Sequence, residues 1–390
     1  MKKTVSLWGA LAACVLCLLA GGAAVLLGIR LSVGSDGIAL LQAQALIRSR
    51  FVGEYDPDLT RQTAEAAMVE SLGDRWSRYL TPRQRQEIED TRSNSYVGIG
   101  VTIMDDEQGL LVVGVNDAGP AAEAGIRVGE IICGVEGVPI TSENRDAILD
   151  SIRGDPGDTV ALDILDETGV RRTVELVLQT VPSVSASWTM LEDDVALLTL
   201  ENFYTGAAEQ VETCLTELKE EGARAMVIDV RNNPGGYVTE LTDILDQLLP
   251  EGDIFRLTFY NGKEKVYSSG PEWVELPMAV LVNENSYSAA EFLAAQLRES
   301  VGAPLVGTRT CGKGYSQSLY TLRDGGAINL SDARYFTGGG TSLIGVGLKP
   351  DPYIGLCYAR QVELLMGTLE PARDGQLQAA LAALETDSDT

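Results

Sequence analysis

A serine and a lysine are the residues of this chain that together could carry out nucleophilic chemistry. Ser288 lies in the stretch N-E-N-S-Y-S-A-A-E, and Lys313 lies further along in C-G-K-G-Y-S-Q. The 390 residues include no histidine, which excludes a Ser-His-Asp triad, a Cys-His pair and an H-E-x-x-H zinc site. A lysine that loses its proton near neutral pH, through burial or a neighbouring positive charge, can act as the base instead. The two residues are therefore candidates for a Ser-Lys dyad.

Each of these residues also has a structural explanation that involves no chemistry. Ser288 precedes the helical run Ala289–Arg298 and would serve as its N-cap, with Glu291 closing a capping box. Lys313 lies between two glycines, as a lysine in a turn does. The S-x-x-K arrangement, in which both residues share one helix, is excluded because no serine here has a lysine three residues later.

The motifs around the two residues resemble those of the carboxyl-terminal processing, or tail-specific, proteases of the S41 serine peptidases. In that family a strand ends in N-x-x-S/T-A-S-A-S-E, and G-K-G-x-x-Q follows at a fixed distance. Three further stretches are similar: D-V-R-N-N-P-G-G at Asp229–Gly236, A-R-Y-F-T at Ala333–Thr337 and G-L-K-P-D at Gly347–Asp351. The motifs occur in the family's order and cover most of Val195–Asp351.

The resemblance implies a role for three side chains. Ser288 would be the nucleophile, Lys313 the general base, and Gln317 the residue that orients the lysine. Taken by itself, Gln317 has the weakest case, because an amide side chain near a loop is ordinarily solvated or locally hydrogen-bonded.

An oxyanion hole requires backbone N–H groups beside the nucleophile. A helix that begins just after Ser288 leaves the Ala289 amide free for this purpose. The second donor is expected from Gly235 or Gly236, which lie between an apolar strand and a helical pattern, where backbone can approach a substrate closely. The same Pro-Gly-Gly sequence is also compatible with a simple turn.

Alternating strands and helices are expected to position these residues. Apolar runs predict strands over Ala225–Val230 and Met278–Val282, and an amphipathic pattern predicts a helix over Val238–Leu249. The chain is therefore predicted to be an α/β multidomain protein. The resemblance further implies a crotonase-like ββα-spiral protease core over residues 181–355, followed by a helical segment and acidic tail over residues 356–390.

Residues 95–180 carry a second signature. The stretch A-G-P-A-A-E-A-G-I-R-V-G-E-I-I resembles the core of a PDZ domain, and the residues Gly98, Ile99, Gly100 and Val101 match its carboxylate-binding loop. Small residues let successive amides hold a terminal carboxylate while the ligand adds a strand to the sheet edge. Without the resemblance, these glycines would indicate a tight turn or bulge. This β-rich domain is expected to bind proteins or peptides with free, apolar C-termini.

The amino-terminal residues indicate where the protein works. Lys2 and Lys3 precede Val5–Ile29, a stretch of 25 residues without a charge, and about 20 suffice for a helix to cross a bilayer. Residues 1–31 are therefore predicted to be a cytoplasmic stub and transmembrane anchor, with the catalytic domain extracytoplasmic, at the cell surface or in the periplasm. A cleaved signal peptide is the alternative. Residues 35–94 are predicted to be helical, and the resemblance allows these helices either to pack the domains or to form a homodimer.

Composition excludes other classes of protein. The chain has 56 acidic and 30 basic residues, a formal net charge of −26, which argues against a nucleic-acid partner. Its six cysteines have no metal-ligand spacing outside the amino-terminal segment, and it has no histidine. Neither a metal site nor a cofactor is expected.

The sequence thus predicts a membrane-anchored serine endopeptidase that cleaves proteins near their C-termini, through an acyl-enzyme, after its PDZ domain binds the tail. A catalytically silent PDZ scaffold is the alternative, and Tyr287, a bulky residue where the family has a small one, is the feature in its favour. A serine hydrolase of small esters or amides is a weaker alternative, because G-x-S-x-G is absent.

Overall fold

The computed structural model describes residues 7–116, 118–141, 143–145, 148–149, 152, 154–166 and 168–387. The chain divides into two units, one ending at Glu65 and the other beginning at Ala66. The helices are α1 (Leu7–Arg50), α2 (Pro57–Glu70), α3 (Pro82–Arg92), α4 (Pro120–Glu123), α5 (Ala207–Glu220), α6 (Val238–Leu248), α7 (Ala289–Val301), α8 (Tyr358–Leu365) and α9 (Gly375–Asp387), with short 3-10 turns at Glu192–Asp194 and Pro371–Arg373.

The strands fall entirely in the second unit. They are β1 (Arg78–Leu80), β2 (Ser95–Gly98), β3 (Val101–Asp106), β4 (Gly109–Val115), β5 (Ile131–Val135), β6 (Val138–Pro139), β7 (Thr159–Leu165), β8 (Arg171–Val177), β9 (Gln179–Pro182), β10 (Ala186–Met190), β11 (Val195–Leu200), β12 (Ala225–Asp229), β13 (Gly252–Phe259), β14 (Glu264–Ser269), β15 (Met278–Val282), β16 (Leu305–Gly307), β17 (Tyr315–Thr321) and β18 (Ala327–Thr337).

The first unit consists of α1 and the beginning of α2. Helix α1 kinks at Gly34, where φ is 70°. A membrane-spanning helix needs about 20 consecutive, predominantly apolar residues. Nowhere in the described part of the chain does a helix reach the length and apolarity required for such a span. The transmembrane anchor predicted over residues 1–31 therefore has no support from the structure, and Lys2 and Lys3 lie outside the described residues.

A mostly parallel sheet forms the centre of the second unit. Strands β11, β12, β15 and β16 run parallel, and β10 pairs antiparallel with β11 at one edge. These strands are apolar almost throughout, because helices cover both faces of the sheet. One face packs against α5, α6 and α7, and the other packs against Leu377 and Ala380 of α9.

The order of these strands brings two distant loops together. Strands β12 and β15 are neighbours, with Asp229 paired to Leu281, so the loops that follow them leave the same edge of the sheet. The loop after β12 carries Gly235 and Gly236, and the loop after β15 carries Ser288. Ligand sites in open α/β sheets form at such carboxyl ends of neighbouring strands.

A second sheet supplies the remaining side of this region. Its order is β1-β18-β13-β14, and β17 also pairs with β18. Strand β17 begins at Tyr315, directly after the G-K-G sequence, and Tyr335 lies in the long strand β18. The loop with Lys313 is therefore held by the strand that follows it.

A separate β-rich body lies between α3 and β10 in the chain. Its main sheet has the order β3-β4-β5-β7-β8, with β6 on β5, and β2 pairs with β9. The core of this body contains Ile99, Leu110, Ile132, Leu162 and Ile164. The chain as a whole is mixed α/β, as predicted from the alternating pattern; residues 388–390 of the expected acidic tail lie outside the described residues.

Candidate active site

Ser288 lies at the first turn of a buried helix in a strained backbone conformation. It follows β15 as the N-cap of α7, with φ 54° and ψ −115°, and Glu291 closes the capping box onto its backbone N–H. A positive φ is costly for a residue other than glycine and persists where the surroundings enforce it, often at functional sites. The Ser288 Oγ lies 2.8 Å from Tyr335 Oη. The structure thus confirms Ser288 as the N-cap of α7, and the same residue is the predicted nucleophile.

Two backbone amides of the predicted oxyanion hole make no hydrogen bond within the described residues. The Ala289 N–H, at the first position of α7, donates to no group within the described residues, and neither does the Gly236 N–H. The Gly235 N–H is already engaged, because it donates to Asn233 Oδ1 at 2.8 Å. Of the two glycines predicted for the oxyanion hole, Gly236 is therefore the one with a free donor.

Gly235 has a different role, which depends on its lack of a side chain. Its φ is 81°, and a Cβ at this position would lie 2.8 Å from the Tyr287 carbonyl oxygen and 2.9 Å from Ser288 Cβ. The backbone of the Pro-Gly-Gly loop therefore packs directly against the nucleophile turn. A larger residue would force the loop and the turn apart.

Lys313 is largely buried, and this burial changes its proton affinity. Burial lowers the pKa of Lys313 to about 8, and the nearby positive charges of Arg92 and Arg78 act in the same direction. Its Nζ lies 5.0 Å from the centre of the Trp76 ring, which also stacks on the Arg75 guanidinium at 4.3 Å. A lysine in these surroundings can release its proton close to neutral pH.

The carboxylate of Glu291 joins the loop of Lys313 to the turn of Ser288. It is fully buried, and Oε2 accepts the backbone N–H of Ser288 and of Lys313, each at 3.0 Å. Its Oε1 accepts the Thr310 hydroxyl at 2.5 Å and the Gly312 N–H at 2.7 Å. Burial raises the pKa of Glu291, although these hydrogen bonds favour its ionised form. One carboxylate thus holds the turn of Ser288 and the loop of Lys313 together.

The side chains of the predicted dyad are not hydrogen-bonded to each other. Across the described residues, no hydrogen bond joins Ser288 Oγ to Lys313 Nζ; the serine contacts Tyr335 and the lysine faces Trp76. The Gln317 side-chain N–H groups donate to the Tyr315 carbonyl at 2.8 Å and to Ser331 Oγ at 3.1 Å, and within the described residues its side-chain oxygen accepts no hydrogen bond from Lys313 Nζ. The lysine-orienting contact expected of Gln317 is therefore not formed in this arrangement.

Three residues of this site have no chemical role assigned from the sequence: Glu291, Tyr335 and Trp76. Glu291 was predicted only as a capping residue, although its position three after Ser288 was the available signal. Tyr335 lies in A-R-Y-F-T and Trp76 in D-R-W-S-R-Y-L, and neither stretch reveals a side-chain partner. The partners of Tyr335 and Trp76 are distant in sequence: Tyr335 meets Ser288 through the packing of α7 on β18, and Trp76 meets Lys313 because β1 and β17 both pair with β18.

The predicted carboxylate loop lies at the start of an edge strand. Gly98 ends β2 and Val101 begins β3, which stands at the edge of its sheet. Gly100 has φ 81°, and a Cβ there would lie 2.9 Å from Gly119 Cα, so the loop packs tightly on the start of α4. The buried Ile99 accepts the Ala121 N–H through its carbonyl at 2.8 Å. An extended peptide could add to the open edge of β3.

Two family models match this chain. Residues 194–354 match the model of Peptidase family S41, and residues 111–166 match that of the PDZ domain. Among curated proteins, the chain is 31% identical over 331 residues to a carboxyl-terminal-processing protease of Synechocystis, covering 83% of this chain and 76% of the relative. It is 29% identical over 314 residues to the carboxy-terminal processing protease CtpA of Bacillus subtilis, covering 80% and 67% respectively.

Solved structures show the same fold. The photosystem II D1 C-terminal processing protease superposes with a TM-score of 0.51 at 24% identity, covering 88% of this chain and 92% of that chain. The tricorn protease superposes with a TM-score of 0.50 at 18% identity, covering 75% of this chain and 29% of that chain. At these identities the likeness concerns the fold alone. The predicted combination of a protease core with a PDZ domain agrees with the two family models, and the two curated relatives support the predicted protease family.

Proposed function

Because this chain belongs to the carboxyl-terminal processing proteases of peptidase family S41 and is a serine peptidase, we propose that Ser288 and Lys313 form its catalytic dyad and that it cleaves proteins near their C-termini. The observation that carries the proposal is the pairing of a strained, helix-capping serine with a buried lysine through one carboxylate, that of Glu291. Membership of a peptidase family sets aside the alternative of a silent scaffold.

The proposed chemistry assigns one task to each group. Lys313 in its neutral form accepts the proton of Ser288 Oγ as this oxygen attacks the substrate carbonyl. The Ala289 and Gly236 amides donate to the oxygen on which negative charge develops. Lys313 then returns the proton to the leaving nitrogen, and water hydrolyses the acyl-enzyme. Lys313 Nζ and Ser288 Oγ must form a hydrogen bond for the first step, since none joins them within the described residues.

Selection of the substrate is proposed to lie in the PDZ domain. The residues Gly98, Ile99, Gly100 and Val101 would hold the terminal carboxylate, and the tail would extend along the open edge of β3. Free peptides with apolar ends should therefore compete with protein substrates. Their inhibition should weaken when the terminal carboxylate is amidated.

The proposed location is extracytoplasmic, supported by two lysines followed by 25 uncharged residues at the start of the chain. Fractionation of cells that express a carboxyl-terminally tagged chain tests it, together with protease accessibility of intact cells. Mass measurement of the recovered protein shows whether the amino-terminal segment has been cleaved or retained. The expected homodimer is tested separately, by cross-linking. A tag found only in the cytosol would contradict the location.

The dyad is tested with a loosely folded protein substrate that carries an apolar C-terminus. Products of the parent chain, Ser288→Ala and Lys313→Ala are mapped by mass spectrometry, beside the control variant Lys263→Ala in the exposed hairpin turn. Cleavage near the tail that is lost in both site variants and kept in the control supports the proposal. Cleavage that survives in either site variant places the chemistry elsewhere.

A further inference from the structure

Tyr335 is the side chain in contact with the proposed nucleophile. Its phenol oxygen lies 2.8 Å from Ser288 Oγ, and geometry allows either oxygen to be the donor. No role for this residue follows from the dyad mechanism, which uses only the serine, the lysine and two backbone amides. The contact is nevertheless made to the atom that reacts.

The position of the phenol is rigidly determined. Tyr335 is 3% exposed, and its ring packs edge-on against Phe292 at 4.4 Å and tilted against Phe255 at 5.6 Å. Both phenylalanines belong to the main core of the protease. Such packing leaves the phenol little freedom to turn away from Ser288.

Tyr335 also contacts the loop that carries Lys313. Its backbone N–H donates to the Gly314 carbonyl at 3.2 Å, and Gly314 is the residue after Lys313. The hydrogen bond therefore couples the loop of Lys313 to β18, the strand that holds the phenol against Ser288. Tyr335 thus contacts both the turn of Ser288 and the loop of Lys313, the two segments that the Glu291 carboxylate also joins.

The phenol remains protonated in the working range of the enzyme. Burial raises the pKa of Tyr335 well above its ordinary value, and the hydrogen bond to Ser288 only partly offsets this effect. A neutral phenol cannot accept the serine proton as a base. It can donate its own hydrogen to an oxygen that gains negative charge.

We propose that Tyr335 is a catalytic residue that donates its phenol O–H to Ser288 Oγ and stabilises the negative charge that this oxygen carries as it attacks and later as it leaves. This inference rests on the dyad assigned under the proposed function. It differs from that function because the dyad can operate with or without the help of the phenol.

The reaction balances with the phenol proton retained throughout. The Ser288 proton passes to Lys313 Nζ, the freed electron pair of Oγ bonds to the carbonyl carbon, and the π pair moves to the carbonyl oxygen. On collapse the C–N bond breaks and Lys313 gives its proton to the nitrogen. Water then attacks the ester carbonyl and gives a proton to Lys313 Nζ; on collapse the C–Oγ bond breaks, and Lys313 returns that proton to Oγ. Tyr335 donates its hydrogen bond to Oγ in both transition states.

Tyr335→Phe removes the donor and keeps the ring. A hydrogen bond to a charged oxygen contributes enough for kcat to fall roughly 10- to 100-fold on its loss, with KM changed by less than about threefold. Labelling of Ser288 by a fluorophosphonate should slow by a similar factor. The matched control is Tyr267→Phe, which also packs its ring on Phe255, at 6.0 Å, and should retain the parent rate.

Two outcomes would overturn the proposal. An unchanged kcat in a folded Tyr335→Phe variant would mean that the phenol does not assist the reaction, and a faster rate would mean that it restrains the serine instead. In either case loss of cleavage in Ser288→Ala would leave the proposed function intact. Cleavage by Ser288→Ala would refute the function itself.

A second measurement covers a Tyr335→Phe variant that fails to fold. Fluorinated tyrosines at position 335 keep the ring and the hydroxyl while making the phenol more acidic and a stronger donor. The proposal expects kcat to rise with phenol acidity across mono-, di- and trifluorotyrosine, while the melting temperature stays constant. A flat dependence of kcat on acidity would show a structural role only and would overturn the assignment.

Discussion

Arg231 and Asp374 form an ion pair, with 2.8 Å between Nη1 and Oδ2, in which both side chains are almost fully buried. Arg231 lies just after β12 and also pairs with Asp229, whereas Asp374 immediately precedes α9. The Gln376 side-chain oxygen accepts a further hydrogen bond from the same guanidinium at 2.9 Å. One arginine thus ties the loop that leads to Gly235 to the carboxyl-terminal helix.

Replacement of this arginine is expected to destabilise the protein strongly. Arg231→Met should lower the free energy of unfolding by about 3–5 kcal/mol, because it leaves the carboxylates of Asp229 and Asp374 buried without a partner. Urea unfolding at pH 7 measures the loss. The control is Arg83→Met, which breaks an exposed pair with Glu87 and should cost less than about 1 kcal/mol. Similar losses in both variants would contradict a special role for the buried pair.

Gly235 is expected to tolerate no side chain. Gly235→Ala should lower kcat/KM by about 100-fold or more, because a Cβ would lie 2.8 Å from the Tyr287 carbonyl oxygen and displace the nucleophile turn. Peptide cleavage and the melting temperature are measured together. Gly262→Ala is the matched control, since Gly262 has a similar φ of 77° but no atom within 4 Å of the added Cβ. Equal activity in the two variants would mean that the close approach of the loop is irrelevant.

The pH dependence of cleavage should follow the deprotonation of Lys313. The pKa of Lys313 is about 8, and only its neutral form can accept the serine proton, so activity is present above this pH and lost below it. We expect kcat/KM to fall about tenfold for each pH unit below the midpoint. Initial rates on a peptide without titratable side chains measure the profile. A midpoint near pH 6.5 would contradict the assignment of Lys313 as the base. This chain has no histidine that could account for such a midpoint.

The parts of the site that could be predicted from sequence are local in the chain. Ser288 as the N-cap of a helix, the free Ala289 amide beside it and the glycine loop after an apolar strand all follow from patterns within a few residues. The order of motifs identified the family as well. The comparisons confirm that family and the presence of a PDZ domain.

The parts that could not be predicted depend on contacts between distant residues. The contact of Ser288 with Tyr335 forms because α7 packs against β18, with Phe292 on the Tyr335 ring. That of Lys313 with Trp76 forms because β17, which follows the lysine, and β1, which follows the tryptophan, both pair with β18. The side chain of Gln317 is directed by a register shift after Ser316, which leaves its amide beside the Ser331 hydroxyl. A resemblance between motifs assigns roles to residues, but it does not give the orientations of their side chains.

The buried lysine should make the folded protein less stable than it could be. At pH values below about 8 Lys313 is protonated in both states, but only the folded state holds the ammonium away from water. Lys313→Met removes this charge and keeps much of the volume. The variant should be inactive, and at pH 6–7 its free energy of unfolding should exceed that of the parent by up to about 3 kcal/mol.

The pH dependence of this gain distinguishes charge burial from better packing. The unfolded lysine has its ordinary pKa near 10.4. Between about pH 8 and that value the unfolded parent binds more protons than the folded parent, so the parent becomes more stable as pH rises and the advantage of Lys313→Met shrinks. Denaturant unfolding from pH 6 to pH 10 measures this, with Lys263→Met in the exposed hairpin turn as the control that should change little at any pH. A gain independent of pH would assign it to packing, and a loss of stability in Lys313→Met would mean that the ammonium is well stabilised where it lies.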